Sequence, residues 1–307
     1  MKAVRTAVIP AAGMGTRFLP MTKAVPKELL PIVDRPGLQL VIEEALGAGI
    51  ERIIIVSHES KTAVGAYFRP DPALVASLED SGKAELADRL RAVDALDVQI
   101  VYQHSPLGLG HAVGVAAEAV GDEPFVVLLP DELMGGSALL QAMVTAYEET
   151  GGSVIGLKEI AIAEVSAYGV VTPSGARTAT GMIPLSGMVE KPPVAEAPSN
   201  LIIIGRYLCT PAVMREIADL RPGAGGELQL TDALRAVCGY EPFHGIIGDA
   251  LPAGAFARHD TGNPAGWLAA NVELAWSHPI YGAAIRDLVR RLDVDGSTRL
   301  IDLSTVD

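Results

Sequence analysis

Cysteine, aromatic side chains, basic charge and long apolar runs are all scarce in this chain. The two cysteines, Cys209 and Cys238, lie far apart with no Cys-x-x-Cys or Cys/His spacing. Neither a disulfide framework nor a zinc site is therefore indicated, and both read as reduced thiols of the kind usually buried. The strongest apolar run, Phe125 to Leu129, falls far short of the roughly 20 residues that a membrane helix needs. The opening MKAVRTAVIPAAGMG breaks into glycine after a few apolar residues and lacks a signal peptide's apolar stretch. The expectation is a soluble, cytoplasmic protein with no membrane partner. Lys and Arg number 24 against 37 Asp and Glu, a formal charge of −13, which argues against nucleic acid as a partner. An acidic chain binds a polyanion only where its few cations are gathered.

What is present is an ordinary globular composition, 49% hydrophobic and 20% charged over 307 residues. That length suits one large α/β domain with insertions, or two smaller ones. Strands are expected at Ala3 to Ile9, Arg52 to Ser57, Val98 to Gln103 and Pro124 to Leu129. Helices are expected between them at Gly37 to Gly47, Leu86 to Leu96 and Gly110 to Val120. Short apolar runs separated by helices indicate a parallel sheet covered on both faces. Further strands at Ser153 to Lys158, Gly169 to Thr172, Gly187 to Glu190 and Leu201 to Leu208 have less regular connections. The fold class expected is α/β: a doubly wound, mostly parallel (Rossmann-like) sheet with an appended smaller sheet and a C-terminal helical tail. The simplest organisation is a single domain over 1–307, with a core at 1–264 and helices at 265–307 that could make an oligomer contact.

Five segments carry chemistry. Gly13-Met14-Gly15-Thr16-Arg17 follows the first strand, and a glycine loop there lets backbone N–H groups approach a phosphate or a base. A dinucleotide fingerprint would need Gly or Ala at position 18, and Phe18 breaks it, which opposes a nicotinamide oxidoreductase. Arg17, Lys23 and Lys27 fall within eleven positions braced by Pro20, Pro26 and Pro31, a cation density suited to a triphosphate. Pro130-Asp131-Glu132 ends a buried strand, where open α/β sheets bind ligands and where carboxylates could hold Mg²⁺ against phosphates. Glu190-Lys191 ends another strand, offering an acceptor for sugar hydroxyls beside a point charge for phosphate. Arg258-His259-Asp260-Thr261-Gly262 is a compact polar turn with a further carboxylate. Taken singly, each has a plain alternative: a bare strand-to-helix turn, a solvated loop, a helix cap, a surface ion pair, an Asp-Thr-Gly turn.

Taken together, GMGTRFLPMTKAVPKELLP, GLGHAV, LLPDE, YGVV, GMVEKP, GRY, GAGGELQLTDAL and HDTGNPAGW occur in the order of one family. The chain resembles the bacterial UTP–glucose-1-phosphate uridylyltransferases, within the sugar-phosphate nucleotidylyltransferases, over about residues 3 to 282. The resemblance implies a Mg²⁺-dependent transfer between UTP and glucose 1-phosphate, in a homodimer or homotetramer. It implies nucleotide contacts from Ala12, Gly13, Gly15, Thr16, Glu28, Gln103 and Gly108. Arg17 and Lys27 would bind the triphosphate, Asp131 would ligate Mg²⁺ with Asp260 as second ligand, and Lys191 would grip the sugar phosphate. Glu132, Gly169 and Glu190 would border the sugar. Two departures stand out: Glu132 where many relatives have Asp, and Phe256-Ala257 where they often have Gly-Lys. Neighbouring readings are a nucleotidylyltransferase for another sugar phosphate or dTTP, and a weakly active UDP-sugar-binding protein.

Overall fold

The computed structural model describes residues 2–223 and 226–294. Strand β1 (Thr6–Pro10) is followed by the glycine loop, the short pair β2 (Pro31–Ile32) and β3 (Arg35–Pro36), helix α1 (Gly37–Gly47) and β4 (Arg52–Ser57). Helices α2 (Thr62–Tyr67), α3 (Pro72–Asp80) and α4 (Ala84–Asp94) precede β5 (Val98–Tyr102). Next come α5 (Leu109–Val115), α6 (Ala117–Val120), β6 (Phe125–Leu128), β7 (Glu132–Leu133) and α7 (Ala138–Thr150). The second half runs β8 (Ser153–Glu159), β9 (Gly169–Pro173), β10 (Met182–Glu190), β11 (Leu201–Cys209), α8 (Pro211–Ala218) and α9 (Leu230–Cys238). It closes with β12 (Phe243–Ile247), β13 (His259–Asp260), α10 (Pro264–Ser277) and α11 (Gly282–Val294). Residues 295–307, counted above with the helical tail, and Ala224-Gly225 of the GAGG motif lie outside the described residues.

Nine strands form one sheet in the order β5-β4-β1-β6-β11-β8-β12-β10-β9. The first four are mutually parallel, as the alternation of apolar runs and helices led one to expect. Two expectations about the rest are corrected. The second-half strands extend the same sheet instead of forming an appended one. The sheet as a whole is mixed: β11 runs antiparallel to both β6 and β8, β12 is parallel to β8, and β10 is antiparallel to β12 and β9. The physical reason is that burial sets hydrophobicity and direction does not. All nine residues of β11 are buried, so it reads as a central strand whichever way it runs. The two short antiparallel pairs, β2–β3 and β7–β13, are separate.

Side-chain alternation divides the core between the two faces. Ile9, Ile53, Ile55 and Leu128 face Leu38 and Ile42 of α1 and Leu140 and Met143 of α7. Val8, Ile54, Val127 and Ile155 face Val113 of α5, Val213 of α8 and Leu234 of α9. Helix α1 and strand β4 have the ends read from the sequence, whereas α2 and α3 were not foreseen. Each of those two buries only one residue, Val64 and Val75, which leaves little periodic signal. Helix α3 begins instead through its cap, with Asp71 Oδ1 accepting from Leu74 N at 2.9 Å and Pro72 in the first turn. No helix among the described residues is long and apolar enough to cross a membrane.

Candidate active site

Strand β1 is flanked by β4 on one side and β6 on the other, so the chain's path diverges at its C-terminal end. Open α/β sheets bind ligands in the crevice at such a switch point. The adjacent strand ends are tied at one level: Ala11 N donates to Val56 O (2.7 Å) and Gln103 N to Ser57 O (2.8 Å). This brings Ala12, Gly13, Gly15, Thr16 and Gln103 to the same edge. Gly15 has φ +63°, a left-handed conformation that glycine adopts freely, and Thr22 Oγ1 donates to its carbonyl at 2.8 Å. The buried Gln103 side chain donates to His111 Nδ1 at 2.7 Å and toward Gly108 O at 3.4 Å. The Gly108 segment is strapped to the Leu228 backbone, since Leu228 N donates to Leu107 O and Gly110 N to Leu228 O.

On the β6 side, Asp131 leaves the strand end with its carbonyl fixed by Thr261 N (2.7 Å) and Thr261 Oγ1 (3.0 Å). Lys27 Nζ lies 2.5 Å from Asp131 Oδ2. Burial by itself would raise the Asp131 carboxyl, but the Lys27 ammonium and the more distant Arg17 hold it below the ordinary carboxylate value. A side chain at Gly262 would crowd two carboxylates and touch a guanidinium. An added Cβ would stand 3.0 Å from Asp260 Oδ1, 3.1 Å from Asp131 Oδ2 and 3.6 Å from Arg17 Nη1. Two carboxylates therefore converge on a space kept open by glycine, with a guanidinium at its rim. That donor set fits a divalent ion such as Mg²⁺, which takes one or two carboxylates together with phosphates and waters. Lys23, the third cation of the segment, lines a cleft of about 640 Å³ with Met14 and Thr16 of the glycine loop and with Lys61, apart from Lys27 and Asp131.

A second group gathers at the ends of β9 and β10, where Gly169 pairs with Glu190. A Cβ on Gly169 would come within 3.3 Å of Glu190 Oε2, which accepts from Thr231 Oγ1 at 2.7 Å. Lys191 is exposed, 3.6 Å from Glu190 Oε1, and has φ +46°. Between the two groups lies Glu132, whose two oxygens accept from Arg258 Nε (2.8 Å) and Nη2 (2.6 Å). Arg258 in turn sits over the Tyr168 ring, 5.3 Å from its centroid. Burial pushes the Glu132 carboxyl up, Arg258 pulls it back, and the charges of Asp260 and Asp131 push it up again.

A nucleotidyl transferase family model matches residues 6–275. The chain belongs to the nucleotidyl transferase family. Within it, a Bacillus subtilis (strain 168) protein described as a UTP–glucose-1-phosphate uridylyltransferase is 43% identical over 278 residues, covering 90% of this chain and 92% of that one. The solved structure of a UTP-bound UGPase from Acinetobacter baumannii has a TM-score of 0.84 at 35% identity, covering 94% of this chain and 99% of that one. A UDP-glucose pyrophosphorylase complexed with UDP-glucose has a TM-score of 0.78 at 33% identity, covering 90% and 100%. This nucleotidyl transferase thus stands among the UTP–glucose-1-phosphate uridylyltransferases.

Three residues of this nucleotidyl transferase escaped the sequence reading as site residues. Arg206 appeared only inside the GRY motif. It is fully buried, and all its N–H groups are engaged: Nε and Nη2 on Glu44 (2.8 and 2.7 Å), Nη1 on Leu129 O and Gly205 O, and Nη2 also on Glu132 O. Those carbonyls flank Asp131. The available signal was a lone charge in the apolar run LIIIGRYLC, which burial obliges to find partners. Arg258 was read only as part of a turn, because its partner Glu132 is remote in sequence. Lys61 carried no motif. It lies just before α2, with Nζ on Ala11 O, Gly13 O and Glu28.

Proposed function

We propose that the chain transfers a uridylyl group from UTP to glucose 1-phosphate, giving UDP-glucose and pyrophosphate, reversibly and with Mg²⁺. The observation that carries this reading is the convergence of Asp131, Asp260, Lys27 and Arg17 around Gly262, at the switch point beside the glycine loop. A phosphate oxygen of glucose 1-phosphate attacks the α-phosphorus of UTP. The new P–O bond forms as the bond to pyrophosphate breaks, and that electron pair leaves with pyrophosphate. A phosphate monoester has a second pKa near 6 and is mostly dianionic at neutral pH, so the nucleophile needs no general base. The barrier lies in bringing two anions together and in charge building on the leaving group.

Enzymes of this kind generally use a divalent metal. Here Asp131 and Asp260 would hold Mg²⁺, which supplies charge neutralisation at the phosphates. Lys27 and Arg17 place positive charge beside the same oxygens. Gln103 uses its amide N–H₂ on His111 and Gly108, which leaves its carbonyl to accept from the uracil ring N–H. Ala12, Gly13, Gly15 and Thr16 offer backbone along the nucleotide, with Glu28 behind them and Gly108 at the edge. Glu190 and Gly169 hold sugar hydroxyls, and Lys191 meets the sugar phosphate. Keeping both substrates in line supplies much of the acceleration.

We propose that the chain is a single nucleotidyltransferase domain over 1–307, with a catalytic core at 1–264 and C-terminal helices at 265–307, and that it is a cytoplasmic homodimer or homotetramer. The exposed apolar residues Leu268, Val272, Trp276 and Ile280 support an oligomer contact there. Light scattering that returns a monomer's mass would exclude it. The reaction itself is tested by pyrophosphate release from UTP and glucose 1-phosphate with Mg²⁺. Release is expected. Folded protein that releases none with any nucleotide and sugar-phosphate pair overturns the enzyme reading.

Glu132 borders the sugar group but turns both oxygens to Arg258, so its extra methylene sets where that pair stands. Glu132→Asp is expected to change the preference between glucose 1-phosphate and an epimer or amino-sugar phosphate by about 1–3 kcal/mol, with little change toward UTP. Equal kcat/KM ratios for the sugar phosphates in both proteins would show that Glu132 does not shape the sugar pocket.

A further inference from the structure

Lys61 is a lysine whose donors are all spent inside the protein. Its side chain is 8% exposed. The ammonium donates to Ala11 O at 2.7 Å, to Gly13 O at 2.5 Å, and across both Glu28 oxygens at 3.1 and 3.0 Å. A lysine has three N–H donors, so none remains for a phosphate. Its chemistry is therefore directed at the backbone of the glycine loop and not at a ligand.

A trans peptide is planar, with C=O and N–H on opposite sides. Turning the Ala11 and Gly13 carbonyls inward to Lys61 turns the following N–H groups, those of Ala12 and Met14, the opposite way. Among the described residues neither of these N–H groups has a hydrogen-bond partner in the protein. A Cβ on Gly13 would meet nothing within 4 Å, so the outer side of the loop is open. Two unpaired donors on an open face are what a nucleotide's acceptor oxygens require. Without the ammonium, the two carbonyls lose the donor they share, and nothing holds them turned inward.

We propose that Lys61 is a positioning residue for nucleotide binding: by gathering the Ala11 and Gly13 carbonyls against Glu28, it aims the loop's N–H groups at UTP. This rests on the uridylyltransferase reading above. Lys61 holds no substrate itself. Glu28 serves as the anion that keeps the ammonium in place, and because Glu28 shares a 3-10 turn with Lys27, the same anchor fixes the segment from which Lys27 reaches Asp131.

The test compares the full-length protein with Lys61→Met, measuring UTP affinity by calorimetry and the KM of each substrate by pyrophosphate release. Lys61→Met is expected to bind UTP at least about tenfold more weakly, while KM for glucose 1-phosphate stays within about twofold. Wild-type UTP affinity in the variant overturns the proposal, and so does an equal loss for both substrates, the mark of general structural damage. If Lys61→Met does not fold, Lys61→Met/Glu28→Met removes the buried charge pair together and is judged by the same two criteria. A wild-type protein that binds no UTP defeats the functional reading instead, a result distinguishable from either.

Discussion

Asp131→Ala is expected to cut turnover by about a thousandfold or more, the scale set by deleting one group that stabilises transition-state charge. The carboxylate stands at the end of β6, shares the space above Gly262 with Asp260, and holds Lys27 at 2.5 Å. Its loss removes the proposed metal ligand and frees the Lys27 ammonium that it pairs with. The fold should survive, because the backbone here is held by groups other than the side chain. Thr261 bonds the Asp131 carbonyl twice, and Arg206 grips the carbonyls of Leu129 and Glu132 on either side. Single-turnover pyrophosphate release and a thermal melt together check the claim. Activity within about tenfold of wild type, some 1.4 kcal/mol of barrier, would mean that Asp131 is not the principal metal ligand.

Arg206→Met should have the largest effect on stability, a loss of about 3–5 kcal/mol, because it strands a buried charge. The Glu44 side chain is 4% exposed and the Arg206 side chain 0%, so solvent cannot replace the bidentate pair. The Leu129, Gly205 and Glu132 carbonyls lose their donors in the same step. Urea unfolding measures the cost, and a midpoint unchanged from wild type would refute it. Replacing both members, Arg206→Met/Glu44→Met, should recover much of the stability, since two apolar side chains leave no uncompensated charge. Turnover should stay low in the double variant, because the Asp131 segment has still lost its anchor.

The glycine loop, the Pro-Asp-Glu strand end and the Glu-Lys pair were legible because each is local. Gly15 can be read for its turn, and Asp131 for its place after the apolar run Phe125–Leu128. The partners that complete these groups were not legible. Glu132 meets Arg258 across 126 positions and Arg206 meets Glu44 across 162, and no periodicity carries such pairings. Lys23 shows the converse: proximity in sequence suggested that it joined Lys27, yet it lines a cleft with Met14 and Thr16, away from the Lys27–Asp131 pair.

Composition and motif order by themselves determined an acidic α/β chain, the ends of α1 and β4, and the family to which the ordered motifs belong. These follow from burial periodicity and from turn chemistry, both of which act over a few residues. Only the tertiary structure decided that β11 runs antiparallel and joins the two halves into one sheet, because a fully buried strand looks the same in either direction. Only the structure showed that Asp131 and Asp260 meet over Gly262, and that a buried lysine turns the carbonyls of the glycine loop inward. A charge removed from water must find its partner wherever the fold has placed it, and that place is set by the packing of the whole sheet.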